Sequence, residues 1–379
     1  MLSTGKIAED ISKVAISQGW STYLAWGRYS RNSVNSLIHV GNTLDNYIHY
    51  ASHKLFDLEG LMSKNATKKL INQLSDIAPD IIHLHNIHDH YLNYPLLFNY
   101  LATLDTPVIW TQHDCWAFTG GCMYYDLYNC EKWKSHCEGC PQHRAVFGDK
   151  TERQFDLKRT LLSHIKNLTY VPVSYWLERA LYESHQSNRP IITIHNGIDI
   201  TVFRPLKKNP SKQFHILGVA AVWNRRKGLE DFIELRKLLP SDLFTISLVG
   251  LSDKQIGELP DGIRGIKRTE NVEELVRLYS DASVFVNPTY SDNFPTTNIE
   301  ALACGTPVIT YRTGGSPEAI DEVTGCVIDQ GDIKGLSDVI MQMSVNPLSS
   351  DACRKRAVLL FDKDKCFNKY MDLYNQRLV

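Results

Sequence analysis

Along this chain, short runs of consecutive apolar and β-branched residues alternate with longer stretches whose apolar positions recur at helical spacing. The runs lie at 22–26, 81–85, 108–112 and 168–173 in the first half and at 215–220, 244–250, 284–287 and 308–310 in the second. Such a rhythm predicts parallel sheets covered by helices, formed twice. The natural boundary falls near Asn196-Gly197-Ile198-Asp199 and Phe203-Arg204-Pro205, after which charge and Lys-Pro content rise. The predicted organisation is a first domain over 1–196, a second over 197–360 and a helical tail over 361–379.

The start departs from that rhythm. Ser3-Thr4-Gly5-Lys6-Ile7 reads as the glycine loop and first helix that follow the opening strand of a Rossmann-like domain, yet no strand precedes it. The expectation is a first domain without its first strand, through an internal start codon or the loss of a central strand that would expose its neighbours' edges. Gly5 in a glycine loop can approach a phosphate; a plain helix N-cap explains the same residues equally well.

A length of 379 residues favours two domains over one, and 43% hydrophobic with 22% charged residues is a globular balance. The formal charge of −1 argues against a nucleic-acid partner held by phosphate neutralisation. No apolar run has the length of a membrane span and the N-terminus has no signal-like segment, so a cytoplasmic protein is expected.

Three segments carry candidate chemistry. In the first, the strand ending at Asn287 leads to Asp292-Asn293-Phe294-Pro295-Thr296-Thr297-Asn298-Ile299-Glu300. Thr297 with Glu300 three residues on has capping-box spacing, which would let the backbone N–H groups around Phe294 to Asn298 face an anion at a helix N-terminus. The plainer alternative leaves Glu300 a cap and Asp292 a solvated acid. In the second, Asn224-Arg225-Arg226-Lys227-Gly228 follows a strand and puts Arg226 and Lys227 beside any bound diphosphate, unless it is an ordinary basic turn. In the third, His113-Asp114 ends the strand at 108–112, where open α/β sheets bind ligands. His83, His85, His88 and His90 crowd another strand end, but no matching carboxylate pattern accompanies them, so acceptor-loop or packing roles are expected.

Cysteines cluster between Cys115 and Cys140. Cys122, Cys130, Cys137 and Cys140 contain one Cys-x-x-Cys pair and two looser ligands, a set able to close a tetrahedral structural zinc site; free thiols or one disulfide are the alternative.

The stretch from Asp292 through Glu300 to Ala301-Leu302-Ala303-Cys304-Gly305-Thr306-Pro307-Val308 resembles the signature of the retaining glycosyltransferases of family four. Asn196-Gly197-Ile198-Asp199 with Phe203 and Pro205 is similar to that family's hinge, and the residues around Cys115–Cys140 resemble an insertion, here 115–141, of a subgroup that builds bacterial surface and capsular polysaccharides. The resemblance implies a GT-B fold, two Rossmann-like domains facing across a cleft, with the tail crossing back onto the first. It implies donor contacts from Arg226, Lys227, Asp292, Phe294, Pro295, Thr296, Thr297 and Glu300, the last on the ribose hydroxyls, and places His113 in the cleft. Asp292 stands where Glu is usual, and Val222 where an Arg is, so Lys227 must find its cationic partner in Arg225 or Arg226, or lack one. The implied activity is transfer of a hexose-type sugar from a UDP- or GDP-linked donor to a glycan or lipid-linked glycan, with no cofactor required for catalysis, no nucleic acid, and peripheral association with the inner face of the membrane. An epimerase of the same fold and a catalytically degenerate binding subunit are the alternatives.

Overall fold

The computed structural model describes residues 3–28, 33–142 and 145–378. The chain divides into unit 1, Met1–Ile194 with Phe367–Val379, and unit 2, His195–Cys366.

Unit 1 contains α1 (Ser3–Ser17), β1 (Tyr23–Trp26), β2 (Ser36–His39), α2 (Thr43–Phe56), α3 (Lys64–Ile77), β3 (Ile82–Leu84), α4 (Tyr94–Ala102), β4 (Val108–Gln112), α5 (Thr151–Ser163), β5 (Leu168–Pro172) and α6 (Tyr175–Glu183). Every residue of β4 and β5 is buried, which is why those segments read as largely apolar and not as alternating. The sheet is in two pieces, β1–β2 and β3–β4–β5, each parallel, and no strand joins them among the described residues. Gly5 is not in a loop: the backbone is helical from Ser3 onward, so the residues expected to form a glycine loop are the first turn of α1.

Unit 2 contains β6 (Phe214–Val219), α7 (Leu229–Leu238), β7 (Phe244–Val249), α8 (Asp253–Gly257), β8 (Ile263–Ile266), α9 (Val272–Asp281), β9 (Val284–Asn287), α10 (Thr296–Ala303), β10 (Val308–Tyr311), β11 (Gly325–Ile328), α11 (Ile333–Val345) and α12 (Ser350–Leu360). Its six strands are all parallel in the order β11-β10-β9-β6-β7-β8. This is a doubly wound sheet whose order reverses between β6 and β9, and ligands of such sheets bind outside the carboxyl ends of strands at that reversal. The last helix, α13 (Lys363–Arg377), starts in unit 2; from Phe367 onward its residues belong to unit 1. There Tyr374 donates its hydroxyl to, or accepts from, His83 Nδ1 at 2.5 Å, and Thr111 bonds the Tyr370 hydroxyl at 3.0 Å. Among the described residues no helix is long and apolar enough to cross a membrane.

Candidate active site

The two loops at the reversal point of unit 2, one after β6 and one after β9, are the ones that carry Arg226, Lys227 and Asp292. They are bound to each other by backbone: Tyr290 N–H donates to the Arg226 carbonyl at 2.7 Å, and the Thr289 hydroxyl donates to the same oxygen at 3.2 Å. Gly228, with φ +72°, lies against Pro288, whose carbonyl oxygen would be 2.3 Å from any added Cβ. That approach holds the basic turn over the β9 loop and accounts for glycine directly after Lys227.

Lys227 Nζ forms an ion pair with Asp292 Oδ2, and Arg226 Nη1 lies 3.9 Å from the same oxygen while donating to the Ser291 carbonyl at 2.7 Å. Of the two arginines beside Lys227, Arg226 is the one that approaches Asp292 among the ion pairs of the described residues. The Asp292 backbone is fixed from a third loop. Gly315 N–H donates to the Asp292 carbonyl at 3.1 Å, and Gly314, at φ +52°, approaches so closely that an added Cβ would sit 1.8 Å from that oxygen. Gly314→Ala is therefore expected to destabilise unit 2 by about 1–3 kcal/mol and to displace the acid. Denaturant unfolding and donor titration check this; unchanged affinity would show that the Asp292 loop does not need that contact.

Helix α10 begins two residues earlier than the capping-box spacing suggests. Pro295 is the N-cap, no side chain caps the start, and Thr297 falls at the second helical position, from which its hydroxyl cannot cap. The capping box expected from Thr297 and Glu300 is not formed. Glu300 Oε2 instead accepts from the Tyr279 hydroxyl at 3.0 Å, so a tyrosine of α9 orients the carboxylate. The first turn is pinned by Asn298, whose amide oxygen accepts from Asn287 at 2.8 Å while its nitrogen donates to the Ser316 carbonyl at 3.2 Å. Phe294 is buried, its ring 4.8 Å from that of His195, which bonds Glu318 at 3.0 Å. Tyr279, Gly314, His195 and Glu318 were not singled out by sequence. Thr313-Gly314-Gly315 is a turn signal that was available; Tyr279 lies in a distant helix and gives no local sign.

In unit 1, His113 follows β4 and bonds His85 at 3.0 Å. Burial pushes its imidazole down to about 4, against the pull of Asp114, so it is neutral at physiological pH. Asp114 belongs to His88, Nε2 to Oδ2 2.8 Å. Burial alone would lower His88, but the Asp114 charge and hydrogen bond outweigh it and raise the imidazole to about 9. His83 and His85 are also held neutral, His83 at about 3, chiefly by burial. A small cavity is lined by His85, His88, Gln112, His113, Asp114 and Trp116.

The insertion folds around aromatic rings. Trp133 and Phe118 are buried with centroids 5.2 Å apart, and Tyr125 lies 4.5 Å from Trp133. Among the described residues, the set of at least three His, Cys, Asp or Glu ligand atoms within 4.8 Å of one another is His136, Glu152 and Asp156. No three of the Cys122, Cys130, Cys137 and Cys140 sulfurs lie that close, yet the four are neighbours: Cys122 is within electrostatic reach of Cys137 and Cys140, and Cys137 of Cys130 and Cys140. Cys137 is packed inside, its thiol pushed up to about 11 by burial, whereas Cys130 and Cys140 are only half-buried. Aromatic packing sets where the chain turns, and with it where each thiol points.

A doubly wound unit with cations and an uncapped helix start at its reversal point is suited to an anionic nucleotide. Two family models match: Glycosyltransferase Family 4 over residues 17–202 and Glycosyl transferases group 1 over residues 213–346. The chain belongs to glycosyltransferase family four. The colanic acid biosynthesis glycosyl transferase WcaC of Escherichia coli K12 is 23% identical over 86% of this chain and 84% of its own length. Sucrose-phosphate synthase of Thermosynechococcus elongatus superposes with a TM-score of 0.74 at 19% identity, covering 97% of this chain and 91% of that one. Anabaena HepE in complex with UDP-glucose superposes with a TM-score of 0.63 at 14% identity, over 99% of this chain and 96% of that one.

Proposed function

We propose that this enzyme moves a sugar, with retention of configuration, from a UDP- or GDP-linked donor to a glycan acceptor carried on lipid, in the cytoplasm and in the assembly of a surface polysaccharide. The observation that carries this is the Arg226–Lys227–Asp292 group beside the uncapped start of α10. Helix N–H groups and two cations suit a diphosphate, and WcaC is named for polysaccharide synthesis and HepE was seen with a nucleotide sugar. In the free enzyme Asp292 occupies Lys227. A diphosphate arriving there takes the ammonium into its own field and leaves the carboxylate facing the sugar. As the glycosidic bond breaks, charge grows on the leaving diphosphate and the fixed cations stabilise it; that oxygen then accepts the acceptor's proton on the same face. Glu300, turned by Tyr279, accepts from ribose hydroxyls. His113, neutral, serves as a hydrogen-bonding group in unit 1 and not as a charged one.

Thermal shift against UDP- and GDP-sugars tests the reading, since a ligand at about 100 times its Kd adds about 2.7 kcal/mol. Stabilisation by neither class at millimolar concentration would overturn it. Within a responding donor, Glu300→Gln is expected to weaken binding by about 1.5–3 kcal/mol, the worth of a charge-assisted hydrogen bond, and Asp292→Asn by less, because the latter also frees Lys227 for the diphosphate. Calorimetry on folded variants decides the order. Neither family match nor WcaC supports the epimerase alternative, and turnover of donor with acceptor separates an active transferase from a binding subunit.

A further inference from the structure

From His113 to Lys150 the described residues form no strand and no α-helix, only three short turns of 3-10 helix at Trp116–Phe118, Asp126–Tyr128 and Lys132–Lys134. Segments of more than about 12–15 residues without longer elements are uncommon in a compact domain. One ordered by a few rings is of the kind that a disulfide or a structural metal staples. Five of the chain's nine cysteines lie in it, Cys115, Cys122, Cys130, Cys137 and Cys140, and all are free thiols. Cys122 and Cys137 each have more than one thiol neighbour, so the arrangement selects no single pair for a disulfide. The Gly120 N–H donates to the Cys137 sulfur, a contact that favours the thiolate. Glycine is required there, because an added Cβ would lie 2.3 Å from the Thr151 side chain.

A buried cation stands beside these thiols. Lys158 of α5 is fully enclosed; its ammonium donates to the Trp116 carbonyl at 2.6 Å and lies 3.9 Å from the centre of the Trp116 ring. Among the described residues it forms no ion pair, and burial pushes the ammonium down to about 8, against the pull of Glu59, Cys122 and Cys137. An enclosed charge of this kind is costly unless an anion faces it. We propose that Cys122, Cys130, Cys137 and Cys140 hold one zinc ion as four thiolates, and that Lys158 offsets the net negative charge of that centre. Four Zn–S bonds replace four S–H bonds and the protons pass to solvent, so no oxidant is needed. A disulfide would be neutral and would leave Lys158 unmatched. His136, Glu152 and Asp156 are set closer together, but Glu152 is exposed and Asp156 is ion-paired to Arg159 at 2.9 Å, and thiolate is the softer ligand that suits zinc. The metal would fix the segment that leaves the strand end at His113, since Trp116, which Lys158 covers, donates its N–H to Asp114 at 2.9 Å.

The test is elemental analysis of the full chain, purified under reducing conditions without chelator, together with alkylation of its thiols read by mass. The wild type should carry about one zinc per chain, and Cys130 and Cys140, though half-buried, should resist alkylation until a chelator removes the metal. Cys122→Ser and Cys137→Ser should each reduce bound zinc about tenfold or more. Lys158→Met keeps all four ligands and should weaken zinc by about 10–100-fold against a competing chelator, the usual cost of losing a partner beside the ligands. Asp156→Asn should leave the zinc in place. Thermal shift with a nucleotide sugar, which reads unit 2, should persist in every variant, so that loss of metal is told apart from loss of the fold and from failure of the transferase reading. A metal-free wild type whose Cys130 and Cys140 alkylate at once overturns the site, as does a disulfide among the four. Zinc lost in Asp156→Asn but kept in Cys137→Ser overturns it in favour of His136, Glu152 and Asp156. Unchanged zinc affinity in Lys158→Met overturns the part given to the lysine.

Discussion

Acidification from neutral pH to about 5 is expected to unfold unit 1 while unit 2 stays folded, because several histidines of unit 1 are buried in the neutral form. Burial is the main cause at each: it holds His49 and His113 near 4 and His83 near 3, and it puts His85 well below its ordinary 6.5. The unfolded chain takes up these protons from pH 6.5 downward and the native one does not, so stability falls with pH until the folded values are reached. Each such group contributes up to about 1.4 kcal/mol per pH unit, and three of them up to about 6 kcal/mol between pH 6.5 and 5, on the order of a domain's whole stability. His88 works in the opposite direction. Raised to about 9, it adds stability that is fully present below 6.5 and lost as pH rises through 9; its partner Asp114, held low, loses its contribution only in stronger acid. In unit 2 the comparable histidine is His215, lowered chiefly by burial. Hydrogen exchange resolved by segment, run from neutral to mildly acidic pH, should show β3, β4 and α2 opening first. His83→Gln should reduce the slope by about one proton. A slope below one proton for the wild type would show that these imidazoles are not neutral in the native state.

Several strands were legible because they are buried on both faces. Val108–Gln112 and Val284–Asn287 form as the apolar runs indicated, and the others shift by a residue or two at their ends. The strands missed are short or mixed in polarity. Ser36–His39 is mostly exposed, Ile263–Ile266 contains Arg264 and Gly265, and Gly325–Ile328 is only partly buried. At the site, sequence placed Lys227, Asp292 and Glu300 at the ends of elements but misread how Glu300 is held. A Thr and a Glu at capping-box spacing look the same whether the helix begins at Thr296 or after Thr297, and the Asn298 bonds that fix the start come from β9 and from the loop after β10. In the insertion, the packing of Trp133 against Phe118 and Tyr125 is a feature that cysteine spacing does not reveal.

Lys227→Ala is expected to lower turnover by about 10²–10³, the effect of removing one preorganised donor from a charge that grows in the transition state. The ion pair adds a second loss. Without the ammonium, Asp292 faces the incoming diphosphate with Arg226, 3.9 Å away, as its remaining cation among the basic-loop pairs described, so donor binding weakens by like-charge repulsion as well. The two losses separate in the double variant. Lys227→Ala with Asp292→Asn should recover donor affinity, because the repelling carboxylate is gone, yet remain as slow as Lys227→Ala alone, because nothing replaces the cation when the bond breaks. Binding by calorimetry and turnover with a good acceptor complete the cycle. Turnover of Lys227→Ala within about twofold of wild type, less than ~0.5 kcal/mol of barrier, would reduce the basic turn to a surface feature and move the diphosphate elsewhere in unit 2.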